Sequence, residues 1–103
     1  MAAVKKSGKP ALKKAPYLSV VLPVYNEEES LVLQHKAVTE GVKKLNKTYE
    51  IIFVDDGSSD SSYEILKSIS SKDKSVKLVR FRRNFGQTAA MAAGIDHSRG
   101  EII

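Results

Sequence analysis

The 103-residue sequence contains no cysteine. A chain without cysteine forms no disulfide, has no thiolate ligands for zinc and offers no cysteine nucleophile. Long apolar runs are also missing, because the longest, Leu18–Val24, falls far short of the roughly 18 to 20 residues that cross a bilayer. The N-terminus has lysines but lacks the apolar stretch of a secretory signal. These absences exclude a disulfide-stapled domain and a membrane-spanning helix within this sequence.

Acidic residues are absent from the first 16 positions, which hold five of the 17 basic residues. From Tyr17 onward 12 basic residues face 12 acidic ones, so the formal net charge of +5 belongs to the N-terminal segment. We expect residues 1–16 to form a flexible basic tail and residues 17–103 to form one α/β domain. The tail lacks the interleaved aromatic residues or basic helix face of a nucleic-acid reader, so we expect no nucleic-acid partner. Its composition favours a solubilising role or a loose attraction to anionic surfaces.

Short apolar segments with branched side chains predict buried parallel strands. Three of them are Leu18–Val24, Tyr49–Val54 and Val76–Phe81, and Glu101–Ile103 has the composition of a fourth strand at its start. Pro23 has no N–H and predicts the end of the first strand. A sheet edge that stops three residues into a strand would be unfinished, so we expect the chain to be the N-terminal part of a longer protein.

Helix signals separate these strands. Asn26 is the predicted N-cap of the first helix, with Glu27–Glu29 in its first turn. Asp60 or Ser61 is the predicted cap of the second helix, and the third is predicted over Thr88–His97. The alternation of strands and helices predicts a Rossmann-like fold, in which a parallel sheet is covered by helices on both faces.

Polar turns follow each predicted strand, at the edge where open α/β sheets bind ligands. None of them contains the glycine-rich phosphate cradle of a dinucleotide-binding domain or a P-loop. Tyr25 and nearby carboxylates could instead bind a base and ribose hydroxyls. Glu27–Glu29 at a helix start would repel a diphosphate, so a metal ion or a basic loop containing Arg82 and Arg83 would be needed.

Each of these features also has an ordinary structural explanation. Asn26 with the glutamates can simply start a helix, the sequence Asp-Asp-Gly-Ser is a common turn, and the arginines can be solvated. His35 is expected to pack on its helix, and His97 to interact with a helix dipole, so the sequence predicts no metal cluster. The functional interpretation depends on the combination of polar groups at equivalent strand ends.

Three segments together resemble the family 2 glycosyltransferases. They are Leu18–Glu27 (LSVVLPVYNE), Ile51–Asp60 (IIFVDDGSSD) and Arg80–Ile103 (RFRRNFGQTAAMAAGIDHSRGEII). The resemblance is closest to the transferases that use polyprenyl or dolichyl phosphate. It implies a GT-A fold, of which this chain would be the N-terminal nucleotide-binding half. It also implies that the intact protein is an inverting enzyme at the cytoplasmic side of a membrane. That enzyme would transfer a hexose from a UDP-sugar or GDP-sugar to a polyprenyl phosphate.

The resemblance also assigns donor-binding residues at the ends of the first three strands. They are Pro23, Tyr25 and Glu27 against the nucleotide, Val54 and Asp56 at the base and ribose, Asp55 as a supporting neighbour, and Asn84 and Gly86 near the donor. Catalytic residues are not assigned. Family members bind Mg²⁺ or Mn²⁺ through an Asp-x-Asp motif after the strand that begins here at Glu101, so the metal ligands would lie outside this chain. The lipid-phosphate acceptor site and any membrane-attached segments would lie there too, and the chain alone would be inactive.

Two other classes of protein stay open at this point. The chain could be a nonenzymatic nucleotide-binding or interaction module. It could also be a phosphoacceptor receiver domain, which the pair Asp55 and Asp56 suggests. The receiver hypothesis is weakened because the third strand ends in Phe81 and Arg82, where no isolated aspartate stands.

Overall fold

The computed structural model describes residues 16–103, and apart from Pro16 the predicted basic tail lies outside the described residues. Strands and helices alternate along the chain, as the sequence predicted. The elements are β1 (Leu18–Val24), α1 (Leu31–Lys43), β2 (Tyr49–Asp55), α2 (Ser62–Lys72), β3 (Val76–Arg80) and α3 (Gln87–His97). None of the helices in residues 16–103 is long and apolar enough to cross a membrane.

The three strands form one parallel sheet in the order β1-β2-β3. Ile51 of β2 lies between Val20 of β1 and Val76 of β3, which fixes the register. On the outer side of β1, Leu18 forms an isolated parallel bridge with Ile102, at the position where the sequence predicted a fourth strand. β2 is therefore the middle strand of the sheet, and the bridge occupies the amino-terminal end of the other edge of β1.

Helices cover both faces of the sheet, which confirms the predicted Rossmann-like fold. Apolar side chains of α1 and α2, such as Leu66, pack with Ile51 and Phe53 on one face. On the other face α3 packs against Val21 and Val54. This second contact is close, because a Cβ atom at Gly94 would lie 2.1 Å from the Cγ1 atom of Val21.

The predicted start of the first helix is wrong. α1 begins at Leu31 after Ser30, and its first turn holds no acidic residue. Asn26 has a left-handed backbone, with φ of +50°, and its side chain bonds to a distant turn instead of capping a helix. Glu27–Glu29 therefore precede α1 and do not form its first turn.

Smaller corrections concern other element ends. Of the two predicted caps of α2, Asp60 makes a bond, since its Oδ1 accepts the Ser62 N–H at 2.8 Å, whereas the hydroxyl of Ser61, at the N-cap position, makes no capping bond. Pro23 is the second-last residue of β1, and β3 ends at Arg80, one residue earlier than predicted. These shifts leave the order and packing of the elements unchanged.

A buried polar network lies at the amino-terminal edge of the sheet, around Glu50. The Ser19 hydroxyl and the Arg99 N–H donate to Oε2 of Glu50, and Nζ of Lys77 lies 2.7 Å from Oε1. The Gly100 N–H donates to Oγ of Ser19 at 2.8 Å. Burial raises the pKa of Glu50, but Lys77, Ser19 and the Arg99 N–H together hold that pKa below its usual value. The network fastens the segment after α3 to β1.

Candidate functional site: a cleft at the carboxyl edge of the sheet

An open cleft of about 390 Å³ lies beyond the carboxyl ends of β1 and β2, beside the start of α3. Its walls come from the three polar turns that the sequence singled out. The lining residues are Pro23, Val24, Tyr25, Glu27, Asp56, Asn84, Gly86 and Gln87. The structure thus brings together six of the eight residues predicted to bind the donor, all except Val54 and Asp55.

The turn after β1 supplies an aromatic ring and a carboxylate. Tyr25 is 48% exposed and lines the cleft, and an aromatic ring in such a position can stack on a planar ligand. Glu27 is held from two sides: the Gln34 side-chain amide donates to its Oε1 at 2.8 Å, and the Tyr25 N–H lies 3.4 Å from its Oε2. Carboxylate oxygens held in this way can accept hydrogen bonds from base N–H groups or ribose hydroxyls.

The turn after β2 is bonded to the turn after β1. The hydroxyl of Ser58 accepts the Asn26 N–H, and the hydroxyl of Ser62 accepts the Glu27 N–H, both at 2.9 Å. Two backbone N–H groups of the turn after β1 therefore donate to side chains more than 30 residues away in sequence. The two turns form one unit at the cleft wall.

Asp56 fixes the third turn, which follows β3. Its side chain is nearly buried, and its Oδ1 accepts the Phe85 N–H at 2.8 Å. Its Oδ2 accepts the Gly86 N–H at 3.0 Å and the Asn84 side-chain amide at 3.1 Å. A carboxylate offers about four acceptor positions, and these three hydrogen bonds use three of them. Asp56 therefore organises the third turn and still faces the cleft.

Gly57 permits this arrangement, although the sequence analysis did not single it out as a site residue. Its φ is +71°, and a Cβ atom there would lie 2.1 Å from the carbonyl carbon of Arg83. Only glycine allows the third turn to approach this closely. Gln87 and Val24 also line the cleft; neither was assigned to the donor individually, although both belong to the segments that the sequence placed at this edge.

Val54 and Asp55 lie behind the cleft. Both are fully buried, and the Val54 side chain packs in the core beneath α3. Oδ1 of Asp55 accepts the Ser58 N–H at 3.2 Å, and its Oδ2 has no hydrogen-bond partner among the described residues. The Asp55 side chain thus supports the turn after β2. Direct contact of Val54 or Asp55 with a nucleotide stays a prediction from the resemblance.

The arginines beside the third turn lie outside the cleft lining. The Arg83 guanidinium lies 4.7 Å from the ring centroid of Phe85, and that ring meets Phe81 edge-on at 5.5 Å. The Arg80 guanidinium stacks on Tyr63 at 3.8 Å. Arg82 is exposed. The Arg83 contact thus stabilises the outer surface of the third turn, and the Arg80 contact joins β3 to α2.

A divalent metal does not fit the residues described here, since residues 16–103 contain no group of three or more His, Asp or Glu side chains that could hold one.

His35 instead lies 2.8 Å from Asp73 across the α1–α2 side of the domain. Burial raises the pKa of Asp73, but His35 and the Ser75 N–H outweigh this and hold it below the usual value. Nδ1 of His97 lies 2.8 Å from the Ala93 carbonyl oxygen of its own helix. His97 therefore lies at the end of its helix as predicted, whereas the pairing of His35 with Asp73 was not predicted from the sequence.

The model of glycosyl transferase family 2 matches residues 19–103. The chain belongs to this family. It is 42% identical over 92 residues to an undecaprenyl-phosphate 4-deoxy-4-formamido-L-arabinose transferase of Edwardsiella ictaluri, a match that covers 88% of this chain and 28% of that protein. It is 44% identical over 87 residues to the enzyme of the same name from Salmonella choleraesuis, covering 84% and 27%. The chain therefore spans little more than a quarter of the length of these relatives.

A solved structure of similar fold is a mannosyltransferase from Pyrobaculum calidifontis in complex with GDP-Man and Mn²⁺. The TM-score is 0.61 at 19% sequence identity, and the match covers 87% of this chain and 26% of that one. This likeness confirms the predicted fold, the α/β half of a GT-A glycosyltransferase. The names of the relatives confirm the resemblance to polyprenyl-phosphate transferases.

Proposed function

We propose that this chain is the donor-binding part of an enzyme that transfers a sugar from a nucleoside diphosphate sugar to a polyprenyl phosphate. The observation that carries the proposal is the cleft at the carboxyl edge of the sheet, in which an exposed Tyr25 ring stands beside the carboxylates of Glu27 and Asp56. The relatives named above transfer an arabinose derivative to undecaprenyl phosphate. For this reason the proposal names a sugar in general and not the hexose that the sequence analysis expected.

The cleft suits the nucleoside end of the donor. The Tyr25 ring provides a stacking surface for the base, and carboxylate oxygens of Glu27 and Asp56 accept its N–H groups or the ribose hydroxyls. Because Asp56 also holds the backbone of Phe85 and Gly86, the third turn forms a fixed wall beside the ligand. These residues bind and orient the donor.

The transfer itself would invert the anomeric centre. An oxygen of the acceptor phosphate attacks the anomeric carbon while the bond to the nucleoside diphosphate breaks, and the phosphate is already anionic, so no general base is required. Mg²⁺ or Mn²⁺ would supply positive charge that stabilises the departing diphosphate, and residues outside this chain would hold the ion. Segments of the whole protein beyond this chain would bring the reaction to the cytoplasmic side of a membrane.

Isothermal titration of this chain with UDP and GDP tests the proposal. We expect one of the two to bind weakly. Tyr25→Ala should lower that affinity about tenfold, in line with about 1 to 3 kcal/mol for stacking one base on an aromatic ring. The matched control is Tyr17→Ala, at the opposite end of β1. Absence of binding to wild type, or equal affinities for wild type and Tyr25→Ala, would contradict the proposed site.

A further inference from the structure

We infer that Asn26 is a positioning residue for the donor, locking the turn that carries Tyr25 and Glu27 onto the turn formed by residues 57–62. The inference rests on the proposed function, because it assigns Asn26 to the same cleft. Asn26 itself does not line the cleft, although both of its sequence neighbours do. Its role would be to set where those neighbours stand.

The Asn26 side chain bridges the two turns through its oxygen. Oδ1 accepts the Ser59 N–H at 2.8 Å and the Asp60 N–H at 3.3 Å. The Asn26 N–H donates in the opposite direction, to the hydroxyl of Ser58 at 2.9 Å. Asn26 thus bonds to three consecutive residues of the turn formed by residues 57–62. No hydrogen bond from its side-chain NH₂ is found among the described residues, so the oxygen is the functional atom of the bridge.

The backbone at Asn26 adds a second requirement. Its φ of +50° lies in the left-handed region, which asparagine and aspartate tolerate better than other residues that carry a Cβ atom. This conformation turns the chain sharply between Tyr25 and Glu27, so that both lie against the cleft. Asparagine meets both requirements, since it accepts the left-handed conformation and carries an oxygen at the right distance.

Other bonds hold the chain after Asn26 in place. The Glu28 N–H donates to Oδ2 of Asp60 at 3.2 Å, and the Ser61 N–H donates back to Oε2 of Glu28 at 2.9 Å. The Glu27 N–H is held by Ser62. We expect these bonds to remain when Asn26 is changed, so the loss of its side-chain oxygen should loosen the chain at Tyr25 without unfolding the domain. In the variant, donor binding would have to order the turn that carries Tyr25, and this cost would weaken the affinity for the donor.

Two substitutions separate the oxygen from the backbone conformation. Asn26→Gly keeps the left-handed conformation and removes the acceptor, whereas Asn26→Asp keeps both. The chain also offers a matched control, Asn46→Gly. Asn46 has a φ of +54° and is exposed, but it lies between α1 and β2, at the other edge of the sheet. The control therefore repeats the same chemical change away from the cleft.

Hydrogen exchange and nucleoside binding are the two measurements. The probes are uridine and guanosine, which are uncharged, so the extra charge of Asn26→Asp does not repel them. In Asn26→Gly we expect the Ser59 and Asp60 amides to exchange at least tenfold faster and affinity for the bound nucleoside to fall about fivefold. Asn26→Asp and Asn46→Gly should stay within twofold of wild type in both measurements.

The outcomes distinguish this inference from the proposed function. If Asn26→Gly accelerates exchange but binds the nucleoside as wild type does, Asn26 does not position the donor. If Asn26→Asp loses as much affinity as Asn26→Gly, the accepting oxygen is not the cause. If wild type binds neither nucleoside nor UDP nor GDP, the proposed function itself fails, and only the exchange result for Ser59 and Asp60 keeps its meaning.

Discussion

Gly57 is the residue at which the turns after β2 and β3 come closest. Its φ of +71° is a backbone conformation that residues with a side chain rarely adopt. A Cβ atom at this position would also lie only 2.1 Å from the Arg83 carbonyl carbon. We expect Gly57→Ala to lower the free energy of unfolding by about 1 to 3 kcal/mol, the usual cost of a strained backbone position, and to displace the third turn. Urea denaturation measures the loss.

Gly41 provides the control for this substitution. It lies in α1, is exposed, and a Cβ atom there would meet nothing within 4 Å. Gly41→Ala should therefore stabilise the domain by roughly 0.4 to 1 kcal/mol, because alanine suits a helix and restricts the unfolded chain. Equal effects of the two substitutions would show that the contact with Arg83 does not constrain Gly57.

Asp56 is the second residue on which the shape of the cleft depends. Asp56→Ala removes the acceptor for Phe85 and Gly86 and leaves their N–H groups without partners. We expect a loss of about 1 to 3 kcal/mol in unfolding free energy, the range for unsatisfied polar groups, and faster amide exchange at both residues. The control is Asp96→Ala, an exposed position on α3. Unchanged exchange at Phe85 and Gly86 would refute the role of Asp56 as their anchor.

Sequence reasoning could locate the polar turns because strand ends of a parallel sheet meet at one edge. It correctly grouped Tyr25, Glu27 and Asp56, but it could not show that Asp56 is engaged with Phe85 and Gly86. Those bonds join residues about 30 apart in sequence. Their geometry depends on how the third turn folds back, which no local pattern encodes.

At the scale of elements, strands were easier to predict than helix ends. The apolar runs of β1 and β2 must be buried on both faces, and that requirement is visible in the sequence. The start of α1 was misjudged because Asn26 and the glutamates after it have the composition of a helix cap. In the structure Asn26 and Glu28 bond to the turn after β2 instead. A side chain that can cap a nearby helix can equally well bond to backbone groups far away in sequence, and only tertiary structure decides between the two.

The network around Glu50 links β2, β3 and the segment after α3, and it leads to a prediction about pH. The pKa of Glu50 is lowered in the fold, so its contribution to stability is present above its usual value of 4.5 and is lost as pH falls through the folded pKa. Lys77→Met should cost about 1 to 3 kcal/mol at pH 7, the range for a charged partner lost from a buried group. The cost should shrink at pH 3.

Chemical denaturation at both pH values, with Lys67→Met as the control, measures this effect. Lys67 is an exposed residue of α2, so its substitution should change stability little at either pH. A cost for Lys77→Met that is equal at pH 7 and pH 3 would mean that Lys77 acts through the packing of its aliphatic stem. The charge on Glu50 would then be irrelevant to the junction.

For the whole molecule, the distribution of charge matters more than its sum. Twelve basic and 12 acidic residues balance from Tyr17 onward, so the excess of five positive charges belongs to residues 1–16. A lysine close to an anionic membrane contributes about 1 kcal/mol of binding free energy. We therefore predict that the chain binds vesicles containing phosphatidylglycerol through this segment. The attraction should weaken as salt shortens the screening length.

Two variants with the same net charge test this prediction. One replaces the lysines of the first 16 residues with glutamine, and the other replaces five exposed lysines of the domain. The first set is Lys5, Lys6, Lys9, Lys13 and Lys14, and the second is Lys36, Lys44, Lys67, Lys72 and Lys74. Co-sedimentation with the vesicles should show at least a tenfold loss of affinity for the first variant and a much smaller loss for the second. Because total charge is equal, similar losses would mean that the domain surface contributes as much as the segment, contrary to the prediction.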